Sequence, residues 1–232
     1  MNPASLTVTA HDAGRLYGAA NPTFTVSYTG FQNSDTAANL TALPSVTAAA
    51  TPASSIGTYP IAASGAAATN YSFSYLPGSL TVSTAVLTVT AHDAGRLYGA
   101  TNSTFTVSYA GFQNSDTAAN LTALPTVTTA ATPASPVGTY QIAASGAAAT
   151  NYSFSYLPGL LTVNQAPLAV TANATARIYG AANPTFTVSY TGFQNGDTAA
   201  NLTTLPTVTT AATPASPSDI SDRRERCSCH QL

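Results

Sequence analysis

Leu6-Thr7-Val8-Thr9-Ala10 alternates apolar and polar side chains, the period-two pattern of a strand with one buried face. His11-Asp12-Ala13-Gly14 turns the chain into a short second strand at Arg15-Leu16-Tyr17, which Gly18 and the loop Ala19-Ala20-Asn21-Pro22 stop. Phe24, Val26 and Tyr28 stand at spacing two and are predicted to be the best core side chains of the segment. Beyond Gly30, Phe31 is expected inside, and Asn33-Ser34-Asp35 is expected to cap a turn or two of helix over Thr36-Ala37-Ala38-Asn39-Leu40. Between Pro44 and Pro52, the Val and Thr content favours a strand. Gly57-Thr58-Tyr59-Pro60-Ile61-Ala62 puts Tyr59 and Ile61 on one side and requires Pro60 at an edge or bulge, facing solvent. Asn70-Tyr71-Ser72-Phe73-Ser74-Tyr75 is a strand with an aromatic face, Pro77-Gly78 turns, and Leu80-Thr81-Val82 is the last strand.

The whole pattern then returns. Tyr17, Tyr98 and Tyr179 lie 81 residues apart with no insertion between them, which makes the chain a tandem array. A unit of that length is too long for a solenoid rung and long enough for a small domain with its own core. The predicted division is a first β repeat over residues 1–84, a second over 87–165, a truncated third over 168–217 and a non-native tail over 218–232. Each full repeat carries about seven short strands with turn signals every ~8–12 residues. The fold class is therefore all-β: tandem small β-sandwich (Ig-like) repeats, with a β-grasp-like unit bearing one short helix as the alternative. Linkers of a few residues are expected to hold neighbours within a limited range of angles.

Composition narrows the partners. Charged residues make up 6% of the chain, about a quarter of the usual share, and all six cations are arginines. Such a surface has no basic patch for nucleic acid and no cationic amphipathic helix for anionic membranes. No apolar run approaches the ~20 residues that span a bilayer, and Met1-Asn2-Pro3-Ala4-Ser5 has no signal-peptide character. The chain opens on linker-like sequence, so it is read as a piece of a longer protein.

Candidate chemistry is sparse. His11-Asp12 and His92-Asp93 suggest an acid–base pair, but neighbours at a strand end face opposite ways and no nucleophile accompanies them. The third repeat writes Asn173-Ala174 there, so a turn role is expected. Asp35, Asp116 and Asp197, each in an Asn-Ser-Asp or Asn-Gly-Asp run, offer hard oxygens; one carboxylate per repeat is thin for calcium. Asn39-Leu40-Thr41, Asn70-Tyr71-Ser72 and their copies match the glycosylation acceptor pattern, which chance also produces in a Thr- and Ser-rich chain. Tyr17, Tyr28, Tyr59, Tyr71 and Tyr75 are read as core with hydroxyls at the rim rather than as a sugar-binding face. No catalytic residue, metal ligand or cofactor is assigned, and no enzymatic activity is expected.

The tail departs in kind. After Pro217, three arginines, both cysteines and a histidine crowd into fifteen residues. One nucleotide string that encodes residues 139–153, when preceded by TCG G, encodes in a shifted frame residues 218–232 followed by a stop. A frameshift after Pro217 is therefore the expectation, and Cys227-Ser228-Cys229-His230 is not read as a metal site. The third repeat, without counterparts of Tyr71, Phe73, Tyr75, Leu80 and Val82, is expected to be poorly closed with an exposed strand edge.

The ordered set Tyr17-Gly18, Asn21-Pro22-Thr23-Phe24, Gly30-Phe31, Gly57-Thr58-Tyr59, Asn70-Tyr71 and Gly78-Ser79-Leu80-Thr81-Val82 resembles the MBG repeat of the YGX type. The resemblance covers both full repeats and the third as far as Pro217. It implies an extracellular β module found in tandem in bacterial secreted and cell-surface proteins, often filamentous-haemagglutinin-like adhesins, and it carries over no catalytic residue. The resulting expectation is a non-enzymatic structural stalk of a surface or secreted adhesin, with neighbouring repeats of a longer parent as partners. The alternative is a weak multivalent binding module for host glycan or surface protein.

Overall fold

The computed structural model describes residues 2–216. The first repeat contributes β1 (Ala4–Ala10), β2 (Ala13–Leu16), β3 (Val26–Thr29), β4 (Ser45–Ala48), β5 (Gly57–Ser64), β6 (Tyr71–Leu76) and β7 (Gly78–Ser83). The second writes them again as β8 (Ala85–Ala91), β9 (Ala94–Leu97), β10 (Val107–Ala110), β11 (Thr126–Thr129), β12 (Gly138–Ser145), β13 (Tyr152–Leu157) and β14 (Gly159–Asn164). The third has β15 (Ala169–Ala172) and β16 (Val188–Thr191) among the described residues. The all-β class holds. Among the described residues each repeat's short helix is a three-residue 3-10 turn, such as Ala37–Asn39.

Two compact units form. Unit 1 takes its described residues from Met1–Ala91, Val107–Val127 and Ala143–Pro158, and unit 2 from His92–Thr106, Thr128–Ile142 and Gly159–Leu232. In unit 1 the first repeat builds a three-stranded sheet, β3-β1-β6, and a four-stranded one, β2-β7-β5-β4. β1 runs parallel to β6, and β2 parallel to β7. The chain changes sheet at His11-Asp12 and again at Pro77, so one parallel pair continues into the other around a corner. Gly78 is required at that corner: a Cβ there would lie 2.7 Å from the carbonyl oxygens of both Ala10 and His11. The second repeat adds to unit 1 the sheet β10-β8-β13, in which β13 is again the parallel neighbour of β8.

The core of unit 1 crosses the boundary between repeats. Ile61, Leu80 and Val82 of the first repeat share one buried cluster with Ala85, Leu87 and Tyr152 of the second. β7 and β8 are separated by Thr84 alone, so the linker is shorter than expected. The idea that each repeat closes a core of its own is therefore corrected in unit 1. β7 delivers its apolar face to the next sheet with too little slack to bury it separately. Val26 and Tyr28 share a face as predicted but are only half-buried, because β3 is an edge strand, and Phe24, in the loop before it, is half-buried too. The deepest side chains are Leu6, Val8, Ile61, Leu80, Leu87 and Val89.

In unit 2, β14 lies between β9, parallel to it, and β12, antiparallel. Leu161 and Val163 fill its buried face. The third repeat pairs β15 with β16 antiparallel, in the register Ala169↔Thr191 to Ala172↔Val188.

Candidate functional site

The residues that the repeat spends most structure on meet at Tyr17-Gly18. Tyr17 is buried and meets Tyr152 edge to face, with ring centroids 5.6 Å apart and planes at 83°. Such a pair contributes about 0.5–1.5 kcal/mol beyond the area it buries. Both hydroxyls donate to one oxygen of Asp116, Tyr152 at 2.7 Å and Tyr17 at 3.1 Å. The Tyr152 hydroxyl also accepts from the Gln113 backbone N–H at 2.8 Å. Burial pushes the Tyr152 hydroxyl pKa up to about 12; the Gln113 N–H opposes the rise and the Asp116 carboxylate adds to it.

Gly18 completes this junction. Its φ is +83°, and a Cβ would stand 2.5 Å from the Gln113 Cβ, so the next repeat fits only over a glycine. At the rim, Asn114 Nδ2 donates to the Pro52 carbonyl at 3.2 Å, and the Ile56 N–H to Asn151 Oδ1 at 3.1 Å. Sequence reasoning took Gly18 as a strand stop and Tyr17 as generic core. It missed that the pair receives the following repeat, although the recurrence of Tyr-Gly at one fixed spacing was a signal for it.

Arg15 anchors the loop that carries the pair. It is buried, donating through Nε to Asn21 Oδ1 at 2.7 Å, through Nη1 to the Leu16 carbonyl at 3.1 Å and through Nη2 to the Thr51 carbonyl. Asn21 Nδ2 donates onward to the Ala50 carbonyl at 2.7 Å. Arg96 and Asn102 repeat the clasp in unit 2.

The remaining candidates have structural partners. His11 Nδ1 is 3.0 Å from Thr25 Oγ1, and Asp12 accepts the Ser79 N–H at 2.7 Å, across the sheet corner. His92 and Asp93 do the same with Thr106 and Leu160. In the third repeat Asn173 Nδ2 donates to Thr187 Oγ1 at 2.9 Å, so a hydrogen bond to threonine is what this position supplies. The expected cap is corrected. Asn33 and Ser34 have φ of 53° and 65° in a tight turn closed by Asp35 N–H to the Gln32 carbonyl at 2.9 Å. Thr36 caps the 3-10 turn instead, in a reciprocal box with Asn39. That leaves the Asp35 carboxylate free to accept the Tyr71 hydroxyl at 2.7 Å.

Asn39 and Asn120, both in acceptor patterns, are engaged in these boxes through Oδ1. Of the tyrosines, Tyr17 and Tyr71 are buried, while Tyr28, Tyr59 and Tyr75 are half-buried; Tyr59 and Tyr75 bond Ser55 and Ala66 at the rim. Among the described residues no three of His, Cys, Asp and Glu gather into a metal-binding group. Cys227-Ser228-Cys229-His230 and the rest of the frameshift reading lie outside the described residues.

Unit 2 contains the same junction one repeat later, with a cavity in it. Asn195 Nδ2 donates to the Pro133 carbonyl at 3.1 Å, and Gly99, at φ +85°, faces the Gln194 Cβ as Gly18 faces Gln113. Tyr98, Pro136, Val137, Leu168, Phe193 and Asp197 line a space of about 250 Å³.

No curated protein matches the chain. The family model described as MBG domain (YGX type) matches residues 6–81, 87–162 and 168–219. A Tyr-Gly pair, Tyr17-Gly18 and then Tyr98-Gly99, is seated at the junction in both units. With most of its length matched in three successive copies, the chain belongs to the MBG domain family of the YGX type.

Proposed function

We propose that this chain is a non-enzymatic spacer, a stalk segment of a bacterial surface or secreted adhesin in which successive repeats set reach and stiffness. One observation carries the reading: a set of packed and hydrogen-bonded side chains, Tyr17, Tyr152 and Asp116 over Gly18, spans a junction between repeats. Side chains concentrated there resist bending between repeats. The nearly uncharged Thr- and Ser-rich surface suits a module whose work is mechanical. Membership of a family that builds tandem arrays agrees with this role.

The test is to duplicate the second repeat in frame and measure maximum dimension by solution scattering. A fixed increment of length for each added copy, with no change in adhesion to host cells or glycans, is the expected outcome. Adhesion that climbs steeply with copy number would instead make each repeat a weak binding module acting through avidity.

A further inference from the structure

The cavity in unit 2 has an occupied counterpart in unit 1. One period earlier, the places of Tyr98, Val137, Leu168, Phe193, Gln194 and Asp197 are held by Tyr17, Ile56, Leu87, Phe112, Gln113 and Asp116. There the space is filled by Tyr152. Its ring stands edge to face on Phe112 at 5.7 Å as well as on Tyr17, and its hydroxyl is bonded to Asp116 and Gln113. Tyr152 arrives on β13, which pairs parallel with β8 in the register Tyr152↔Ala85 and Phe154↔Leu87, after Asn151 has accepted the Ile56 N–H.

β15 is the counterpart of β8, and among the described residues its one sheet neighbour is β16. Among the described residues no strand occupies, on β15, the edge on which β8 receives β13. Leu168 and Val170 are accordingly half-buried, where Leu87 and Val89 are fully buried. An unpaired edge beside an apolar socket with a carboxylate at its base is an acceptor for strand addition: main-chain bonds give affinity and the socket gives specificity.

We propose that unit 2 accepts a donated β-strand of the type Asn-Tyr-x-Phe-x-Tyr, the pattern of Asn151 to Tyr156, supplied by another copy of this repeat. The strand adds parallel to β15. Its asparagine takes the Val137 N–H, and its first tyrosine enters the cavity, donating to Asp197 and accepting from the Gln194 N–H. The phenylalanine two residues on covers Leu168. This rests on the two junctions alone and stands whether or not the chain is an adhesin stalk.

The test uses the full chain and a labelled synthetic peptide with the sequence of residues 150–158, Thr-Asn-Tyr-Ser-Phe-Ser-Tyr-Leu-Pro, titrated by fluorescence anisotropy. Saturable binding with one peptide per chain is expected, together with its loss when the first tyrosine of the peptide is alanine. Replacing that tyrosine by phenylalanine removes only the hydroxyl and is expected to weaken binding about tenfold or more, the value of a hydrogen bond to a charged group. Asp197→Ala is expected to weaken the parent peptide to a similar degree, and the phenylalanine peptide no further on that variant, a coupling that general damage to the fold would not produce. Three results would each overturn the proposal: no binding, equal binding of the alanine or a scrambled peptide, or self-association of the chain through β15 that the peptide does not displace.

Discussion

Asp116 and Asp197 hold the same place in consecutive repeats, under the same turn and beside the same Tyr-Gly pair, yet one is the centre of a packed junction and the other the wall of a cavity. The difference spreads outward from the strand that reaches Asp116. Tyr17 is 6% exposed, whereas Tyr98, which holds its place at the second junction, is half-buried. Arg15 and Arg96 are buried; Arg177 is half-buried, though it keeps its bond to the Thr213 carbonyl. What survives in the third repeat is what a short stretch writes for itself: the β15–β16 pairing, the Thr198–Asn201 capping box and the Asn183–Ala212 bond. What is lost is burial. In the first two repeats it depends on strands that arrive late in the repeat, as β6 does when it pairs Tyr71 with Ala4.

The widest gap between the regions is expected at their leucines. Leu87→Ala should cost about 2–5 kcal/mol, as a fully buried leucine does, and Leu168→Ala about 1 kcal/mol or less. Urea unfolding of the full chain, with hydrogen exchange to assign each loss to its segment, reads both values. Equal losses would mean that the third repeat is as closed as the second, and the comparison would break. Next come the arginines. Arg15→Ala leaves the Thr51 and Leu16 carbonyls and the Asn21 amide oxygen without their donor, a loss of about 2–3 kcal/mol. Arg177→Ala, in a more open loop, should cost less than half of that in the same experiment.

Much of this was legible because period-two alternation survives any tertiary arrangement. Leu6-Thr7-Val8, Tyr71-Ser72-Phe73 and Leu80-Thr81-Val82 all became strands with the predicted faces. Pro60 was also legible. It faces solvent on β5 just beyond Ala48↔Ile61, the last pair made by β4, and so stands at a local edge. Depth was not legible, because alternation says which side of a strand is apolar and not whether the strand lies at the margin of its sheet; Val26 and Tyr28 misled for that reason. Nor did the pattern reveal the partner of each face. Tyr17 meets a residue 135 positions away, in the next repeat, and no local signal separates that contact from one inside its own repeat.

A narrower contrast is expected at the two carboxylates. Asp116→Ala strips the acceptor from two tyrosine hydroxyls at once and should cost about 1.5–3 kcal/mol. Asp197→Ala should be within about 0.5 kcal/mol of the parent when no donated strand is present. Differential scanning of the two variants side by side checks this. A large loss at Asp197 would show that the open junction already depends on its carboxylate.

The smallest effect is invisible at neutral pH and appears only in alkali. Folding raises the Tyr152 hydroxyl pKa from the usual 10 to about 12, through burial first and the Asp116 carboxylate after it. The folded chain thus holds this proton more tightly than the unfolded chain does. The stability that comes from it is whole below pH 10 and drains away as pH rises toward 12, where the folded-state group ionises beside a carboxylate already charged. Burial also raises Tyr28 and Tyr109, so the wild-type decline has several sources. Tyr152→Phe separates them: whatever it costs at pH 7, its further loss between pH 10 and 12 should be smaller than that of the parent, and absorbance titration should lack the last tyrosinate to form. An unchanged slope would place the late-ionising hydroxyl elsewhere and remove Tyr152 from the list of groups that make the closed junction differ from the open one.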